Sequence, residues 1–402
     1  MVDILINKLH NYLRYFKITR KEDIMALYDI VATTAFGIEA IAAKEFKDLG
    51  YRDLTVENGN ITFQGDEEAI MKANLWSRCA DRIYIKVGEF EATTFEELFQ
   101  KTKSLPWSKY LPIDAEFPVS DAKSVKSKLF SLSDIQAIVK KATVESLKLT
   151  YKQEWFSEKG AKYPIHVWLH KDKATILLNT SGAALHRRGY REKGSEAPLK
   201  ETLAAALIRI SKWTPEYPLI DPMCGSGTIP IEAALIAKNI APGIRRKFAC
   251  EDWHMMPGDV ISKCRNEAIR SIKRDLDLKI HGSDINRRVT NIARDNAVKA
   301  GVGDYIHFQQ LDMYDISSRK KEGFIICNPP YGERLNNDDE IQQLYKTMGR
   351  KFKEFPEWHK FIITSYERFE KFYGSKADKN RKLYNGRLKC YYYQYIPQKN
   401  QK

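Results

Sequence analysis

Short apolar runs of period two alternate along the chain with longer amphipathic stretches of period 3.6, and these patterns predict its elements. Residues 28–33 read as a strand. Residues 36–49 read as a helix with Ile38, Ile41, Ala42, Phe46 and Leu49 on one face. Asn58-Gly59-Asn60 is a turn between short strands at 54–57 and 61–64, and from Asp66 a helix is predicted through Ala80. Further strands are expected at 82–89 and 116–120, with helices at 94–103 and 134–147. A hairpin at 165–170 and 173–179 turns at Lys171-Asp172. The pattern gives a compact α+β unit over 26–66 and a second unit over 67–181.

From residue 182 to 402 the pattern changes to strands alternating with helices, the mark of an α/β domain. A strongly apolar helix is predicted over 196–211, with Pro198 in its first turn. A short strand ending at Asp221 passes through a Gly-rich turn into a helix at 229–238. The stretch 239–276 is too long for a plain loop and is expected to carry a helix at 261–275. Strands follow toward Asp284, Asp312 and Asn328, then a helix at 340–355 and a strand at 360–364. A closing pair over 379–395 turns at Asn385-Gly386.

The strand ends hold the candidate chemistry. Asn328-Pro329-Pro330-Tyr331 follows Ile325-Ile326-Cys327, so it should sit where a buried strand stops. The Asn328 side-chain oxygen and the Pro329 carbonyl are two acceptors held stiffly by the Pro-Pro step. Beside the aromatic face of Tyr331 they would receive a planar exocyclic amine. The turn after Asp221, Pro222-Met223-Cys224-Gly225-Ser226-Gly227-Thr228, lacks the Gly-Lys-Ser/Thr of a phosphate loop and does not match the dinucleotide fingerprint. An acid there repels phosphate and suits a ligand bearing a positive charge, such as the methionine end of S-adenosylmethionine. Asp284 is placed to accept ribose hydroxyls and Asp312 to meet an adenine amine. Each acid alone is a weak signal, because an Asp after a strand is usually a cap or turn residue. The ordered series Asp221, Asp284, Asp312, Asn328 is far more specific.

On these residues the chain resembles a Rossmann-like class I S-adenosylmethionine-dependent methyltransferase acting on an exocyclic amine. More narrowly, it is similar to the bacterial subgroup that carries a THUMP domain and methylates guanine N2 in 23S ribosomal RNA. Gly282-Ser283-Asp284, Gly332-Glu333-Arg334-Leu335 after the tetrapeptide, and Leu185-His186-Arg187-Arg188-Gly189-Tyr190-Arg191 extend the match, which runs from about Met25 onward. The resemblance implies an α/β fold in which a Rossmann-like methyltransferase domain (182–402) follows an α+β ferredoxin-like unit (26–66) and a THUMP RNA-binding domain (67–181). Residues 1–25 are an extension to which no role is assigned. It further implies that Asn328, Pro329, Pro330 and Tyr331 are catalytic. Asp221, Pro222, Cys224, Gly225, Gly227, Thr228, Asp284, Ile285, Asp312, Met313 and Asn328 would hold S-adenosylmethionine. The implied partner is 23S ribosomal RNA or its precursor particle, in the cytoplasm, with no obligate protein partner.

Charge agrees with a polyanionic partner: 66 Lys and Arg against 52 Asp and Glu give a formal net charge of +14. Candidate RNA contacts are Lys123, Lys126 and Lys128, then His186, Arg187, Arg188 and Arg191, and Arg245 and Arg246 in the insert. Each basic group reads also as a solvated surface or, for the arginines, as packing between domains. The six cysteines are scattered without a Cys-x-x-Cys pair, which supports neither a zinc site nor a disulfide framework. Cys224 and Cys327 beside the site read first as small packing residues. No apolar run approaches ~18 residues, so no membrane span is expected. Transfer-RNA guanosine, nucleic-acid adenine, a small molecule or protein glutamine remain alternative targets. A non-catalytic RNA-binding assembly factor is the non-enzyme alternative.

Overall fold

The computed structural model describes residues 27–191, 199–330 and 338–397. Its first half is one seven-stranded sheet in the order β2-β3-β1-β4-β7-β6-β5. The strands are β1 (Tyr28–Thr34), β2 (Thr55–Glu57), β3 (Asn60–Gly65), β4 (Ala80–Glu91), β5 (Val119–Val125), β6 (Ile165–His170) and β7 (Lys173–Asn179). Helices α1 (Glu39–Asp48), α2 (Glu67–Trp76), α3 (Phe95–Lys103) and α4 (Leu132–Tyr151) complete this half. Alternation sets the faces: Ile30, Ile83, Ile85, Val167 and Ile176 enter the main core, whereas Val31, Tyr84 and Leu177 form a small cluster with Trp168 on the opposite face. The twelve-residue β4 pairs with β1 on one side and β7 on the other, so the sheet is continuous across both expected units.

The second half is a sheet in the order β10-β9-β8-β11-β12-β14-β13. It contains β8 (Leu219–Asp221), β9 (Ile280–Asp284), β10 (Ile306–Gln310), β11 (Gly323–Cys327), β12 (Trp358–Thr364), β13 (Lys379–Asn385) and β14 (Leu388–Tyr395). The first five strands run parallel, and the last two form the antiparallel hairpin that the Asn385-Gly386 turn predicts. Helices α5 (Glu201–Ser211), α6 (Thr228–Ala237), α7 (Gly258–Arg270), α8 (Arg287–Ala300), α9 (Asp338–Phe352) and the short α10 (Phe369–Tyr373) accompany it. Strand order reverses between β8 and β11, the switch point where open α/β sheets bind ligands. This is the expected architecture of a Rossmann-like domain behind an α+β region.

Several boundaries differ from expectation, each for a physical reason. The helix after Asp66 ends at Trp76, not Ala80, because Ser77, Arg78 and Cys79 turn away to bond Glu45 of α1. The strand expected at 116–120 lies at Val119–Val125, where backbone pairing with β6 holds a polar Ser-Asp-Ala-Lys-Ser run whose outer face meets water. The insert helix is α7, shifted several residues toward the N-terminus of its expected span. The expected Pro198 helix start lies outside the described residues.

The two halves are joined over a wide area. Trp253 of the insert stacks on Tyr163 with ring centres 4.7 Å apart, and its Nε1 donates to the Lys162 carbonyl at 2.9 Å. Arg78 Nη2 donates to the Ile240 carbonyl at 2.8 Å, and Gly243 N to the Leu75 carbonyl at 3.0 Å. Among the described residues no helix is long and apolar enough to cross a membrane.

Candidate active site

Asp221 closes β8 and Asn328 follows β11, adjacent parallel strands whose register pairs Leu219 with Phe324 and Ile220 with Ile325. Both residues therefore meet at the switch point. Asp221 is 1% exposed and accepts the Met223 N–H at 3.3 Å. Burial pushes its carboxyl well above the usual carboxylate range; the Met223 bond opposes this, and the charge of Asp284 adds to it. Such a group is ready to be stabilised by a cationic ligand.

The Gly-rich turn has the backbone that the glycines predict. Gly225 and Gly227 sit at φ 53° and 84°, in the left-handed region that side chains avoid. A Cβ on Gly227 would lie 3.0 Å from Ala293 and Phe308, whereas one on Gly225 would meet no heavy atom within 4 Å. Gly227 is thus fixed by packing and Gly225 borders open space. The turn is braced from below by Cys224 N to the Ser283 carbonyl (2.8 Å) and by Asn296 Nδ2 to the Ser226 carbonyl (3.0 Å). Pro222 and Cys224 are buried, and burial raises the Cys224 and Cys327 thiols well above their ordinary values. Both cysteines are packing groups, held as neutral thiols by burial.

Asp284 ties the neighbouring strand end to this turn. Its Oδ2 accepts Gly225 N at 3.1 Å and its Oδ1 accepts Asn286 N at 3.0 Å. A carboxylate has about four acceptor sites, so capacity remains for two hydroxyls. Asp312 lies one strand further, where Leu311 N bonds the Asp284 carbonyl at 3.1 Å. Its Oδ1 caps the turn Met313–Asp315 through Tyr314 N at 2.9 Å, so the cap role common to strand-end acids is realised here. Ile285 is 66% exposed beside Asp284, as an apolar ligand wall would be. The side chain of Met313, expected among the cofactor-binding residues, is packed into the core around Ile316, and its exposed neighbour is Tyr314. An aromatic two residues after the strand-end acid was the available signal for it.

Asn328 Oδ1 is buried and has no hydrogen-bond partner among the described residues. A buried amide oxygen left unpaired costs about 1–3 kcal/mol, so it marks a position awaiting a donor. Pro329 is buried behind it. Tyr331 and Gly332-Glu333-Arg334-Leu335 lie outside the described residues.

The basic candidates divide. Lys123, Lys126, Lys128, Arg187 and Arg245 are exposed, the last donating to the Lys299 carbonyl. Arg188 and Arg191 are not available to RNA. Arg188 is buried, donating to the carbonyls of Leu185 (2.9 Å) and Arg78 (2.5 Å), with Nε 3.4 Å from Glu232 of α6. Tyr190 donates to the same Glu232 oxygen at 3.2 Å. Arg191 donates to the Thr228 hydroxyl and pairs with Glu201. Thr228 and Glu232, one turn apart on α6, are therefore gripped by one short segment, 188–191. Arg246 spends its guanidinium on the carbonyls of Ser181, Ala183, Ala184 and Arg187, bracing that loop from within the chain. His186 is held neutral, its pKa lowered to about 4 by burial and then by Lys200. Charge counting puts Arg188, Arg191 and Arg246 on RNA; their main partners, Glu232 and Arg78, Thr228, and the 181–187 loop, lie far along the chain and are invisible locally.

Comparison with known proteins assigns families to three segments of the chain. Residues 188–394 match the family described as RMKL-like, methyltransferase domain; 29–84 match the RlmL ferredoxin-like domain and 92–179 the THUMP domain. YpsC of Bacillus subtilis (strain 168), named as a candidate RNA methyltransferase, is 49% identical over 92% of this chain and 96% of its own. Ribosomal RNA large subunit methyltransferase K/L of Vibrio cholerae O395 is 36% identical over 90% of this chain, which spans only 52% of that longer protein. Among solved structures, SMU.472, a candidate methyltransferase complexed with SAH, superposes with a TM-score of 0.88 at 46% identity, covering 93% of this chain and 99% of that one. A predicted N6-adenine-specific DNA methylase from Listeria monocytogenes str. 4b F2365 gives a TM-score of 0.88 at 50% identity, covering 93% and 97%.

Proposed function

We propose that this chain, which belongs to the RMKL-like family of S-adenosylmethionine-dependent RNA methyltransferases with ferredoxin-like and THUMP units, methylates the N2 amine of a guanosine in 23S ribosomal RNA. The observation that supports the chemistry is Asn328 Oδ1, buried and without a hydrogen-bond partner among the described residues, following the strand that pairs with the one ending at buried Asp221. The choice of 23S RNA rests on the sequence context of the tetrapeptide and on relatives named for the ribosomal large subunit.

The residues fit S-adenosylmethionine. Asp221 would answer its cationic amino-acid end, the space beside Gly225 would admit it, and Asp284 and Asp312 would take the ribose and adenine. When bound, it supplies an electrophilic methyl group on a sulfonium. Asn328 Oδ1 and the Pro329 carbonyl would accept the two N–H groups of the exocyclic amine. Those bonds turn the nitrogen lone pair, otherwise delocalised into the ring, toward the methyl, and stabilise positive charge developing on nitrogen. Positioning of this kind supplies several kcal/mol out of a ceiling of roughly 7–11. Tyr331 would stack on the base, which must leave its helix at a cost of a few kcal/mol. No base is needed before attack, because the amine becomes acidic once alkylated.

The second reading is an adenine N6 target, favoured by the shared tetrapeptide and by the likeness to the Listeria protein, which is named an N6-adenine-specific methylase. Methyl-labelled S-adenosylmethionine, total RNA from cells lacking the gene, and nucleoside separation after digestion distinguish the two. Label in N2-methylguanosine of 23S RNA supports the proposal. Label in N6-methyladenosine moves it to the second reading, and label in transfer RNA overturns the substrate.

A further inference from the structure

Beyond the end of β5, residues 125–132 cross one corner of the first sheet to reach α4. Three apolar side chains of this stretch face water: Phe130 is 81% exposed, Val125 53% and Leu132 45%. Single exposed apolar groups are ordinary; the surroundings of Phe130 are not. Lys123, Lys126, Lys128 and Lys171 are exposed on the same corner, and among the described residues none of the four has an ion-pair partner. Other lysines of this half, Lys140, Lys148, Lys162 and Lys173, are each paired with a glutamate, while Lys47, Lys109, Lys141, Lys152 and Lys159 are exposed like the four at the corner. What distinguishes the four is that they lie close in the chain to the exposed ring or on the turn bonded to its loop.

The corner is also built in advance. Lys128 N donates to Asp172 Oδ1 at 2.7 Å, Asp172 N to Ser127 Oγ at 3.0 Å, and Lys171 N to the Val125 carbonyl at 3.1 Å. Ser124 Oγ closes the loop on the Leu129 carbonyl at 2.5 Å. These bonds hold Lys126 at φ 52°, a strained value for a side-chain-bearing residue. Asp172 turns its carboxylate inward to the Lys128 backbone; of the other acids close by in the chain, Asp121 lies 3.5 Å from His166 and Asp134 is exposed in the first turn of α4. Lys123 Nζ lies 5.4 Å over the Trp168 ring, next to this edge of the sheet.

We infer that this corner grips a single-stranded segment of RNA, with one unpaired base stacked on Phe130 and flanking phosphates on Lys123, Lys126, Lys128 and Lys171. The inference rests on RNA being the substrate and adds where, and in what form, it is held. A duplex hides its base faces, so an exposed ring has nothing to stack on there. Backbone charge recognises any strand, and the aromatic selects the unpaired one.

The test uses the full chain and a fluorescent twelve-nucleotide oligouridylate, with anisotropy titrations at several salt concentrations. Phe130→Ala should weaken binding about 5- to 150-fold, the range for one lost base stack, with an unchanged salt slope. Phe130→Trp should retain affinity. Lys126→Ala and Lys128→Ala should each lower the slope of log affinity against log salt by about 0.7. S-adenosylmethionine binding, unchanged in all four variants, confirms that each is folded. Wild-type binding that Phe130→Ala leaves intact overturns the inference and spares the RNA reading. Equal loss on a blunt RNA duplex overturns it too. Absence of any wild-type RNA binding, on oligomers or ribosomal RNA, removes both. Phe130-dependent binding to phosphatidylserine vesicles with RNA binding untouched would reassign the corner to an acidic membrane surface.

Discussion

Replacing Arg188 by methionine should weaken the structure by about 3–5 kcal/mol, the cost of leaving one partner of a buried ion pair without the other. Methionine refills most of the volume, so little of this loss is packing. The Glu232 side chain is 0% exposed and would lose the cation 3.4 Å from it, keeping the Tyr190 hydroxyl at 3.2 Å as its hydrogen-bond partner among the described residues. The carbonyls of Leu185 and Arg78 would lose their donor as well, each worth about 1–3 kcal/mol if left dry. These losses share one site and do not add, which keeps the total near the ion-pair figure. Urea unfolding at neutral pH, followed by tryptophan fluorescence, measures it, since Trp253 lies at the join and Trp107 in the N-terminal core. Arg188→Met with Glu232→Met should recover at least ~1 kcal/mol over the sum of the single changes. A single variant within about 1 kcal/mol of wild type, or strict additivity, would refute the claim that segment 188–191 fastens the cofactor helix to the RNA-binding half.

Other consequences follow from the site. The Asp221 carboxyl is raised in the free protein, by burial first, and a cationic ligand would lower it again. Cofactor affinity should therefore rise with pH up through that raised value and then level off, with a proton released on binding below it. Calorimetry in buffers of different ionisation enthalpy counts that proton, and Asp221→Asn should remove the increment. Gly225→Ala should fold with a cost of about 1–2 kcal/mol for its φ of 53°, yet lose most of the thermal stabilisation given by S-adenosylmethionine, because its methyl would enter the open space. Gly227→Ala should be worse folded, since strain at φ 84° adds to contacts of 3.0 Å with Ala293 and Phe308; a melting temperature equal to that of Gly225→Ala would contradict this.

What the sequence reveals depends on how local each cause is. The hairpin of β6 and β7 is legible to the residue because Lys171 and Asp172 both take φ above 50° in a two-residue turn. Asp221, Asp284 and Asn328 are legible because each ends an apolar run, and chain direction alone puts parallel strand ends on one edge. The end of α2 is not, since it is set by Glu45, more than thirty residues earlier. Nor is the fate of Arg188 and Arg191: a cluster of arginines reads the same whether its anionic partners are on RNA or buried 44 residues ahead at Glu232. The span of the polar β5 is misplaced by several residues because an edge strand paired through its backbone needs no apolar alternation.

The central claim is that Asn328 presents an amine for methyl transfer, and Asn328→Ala assayed in single turnover tests it most directly. With ribosomal RNA and pre-bound S-adenosylmethionine, the transfer rate should fall by about 10²–10³, as for loss of one preorganised polar contact to developing charge, while the cofactor dissociation constant stays within a few-fold of wild type. A variant that transfers methyl at the wild-type rate would contradict the claim.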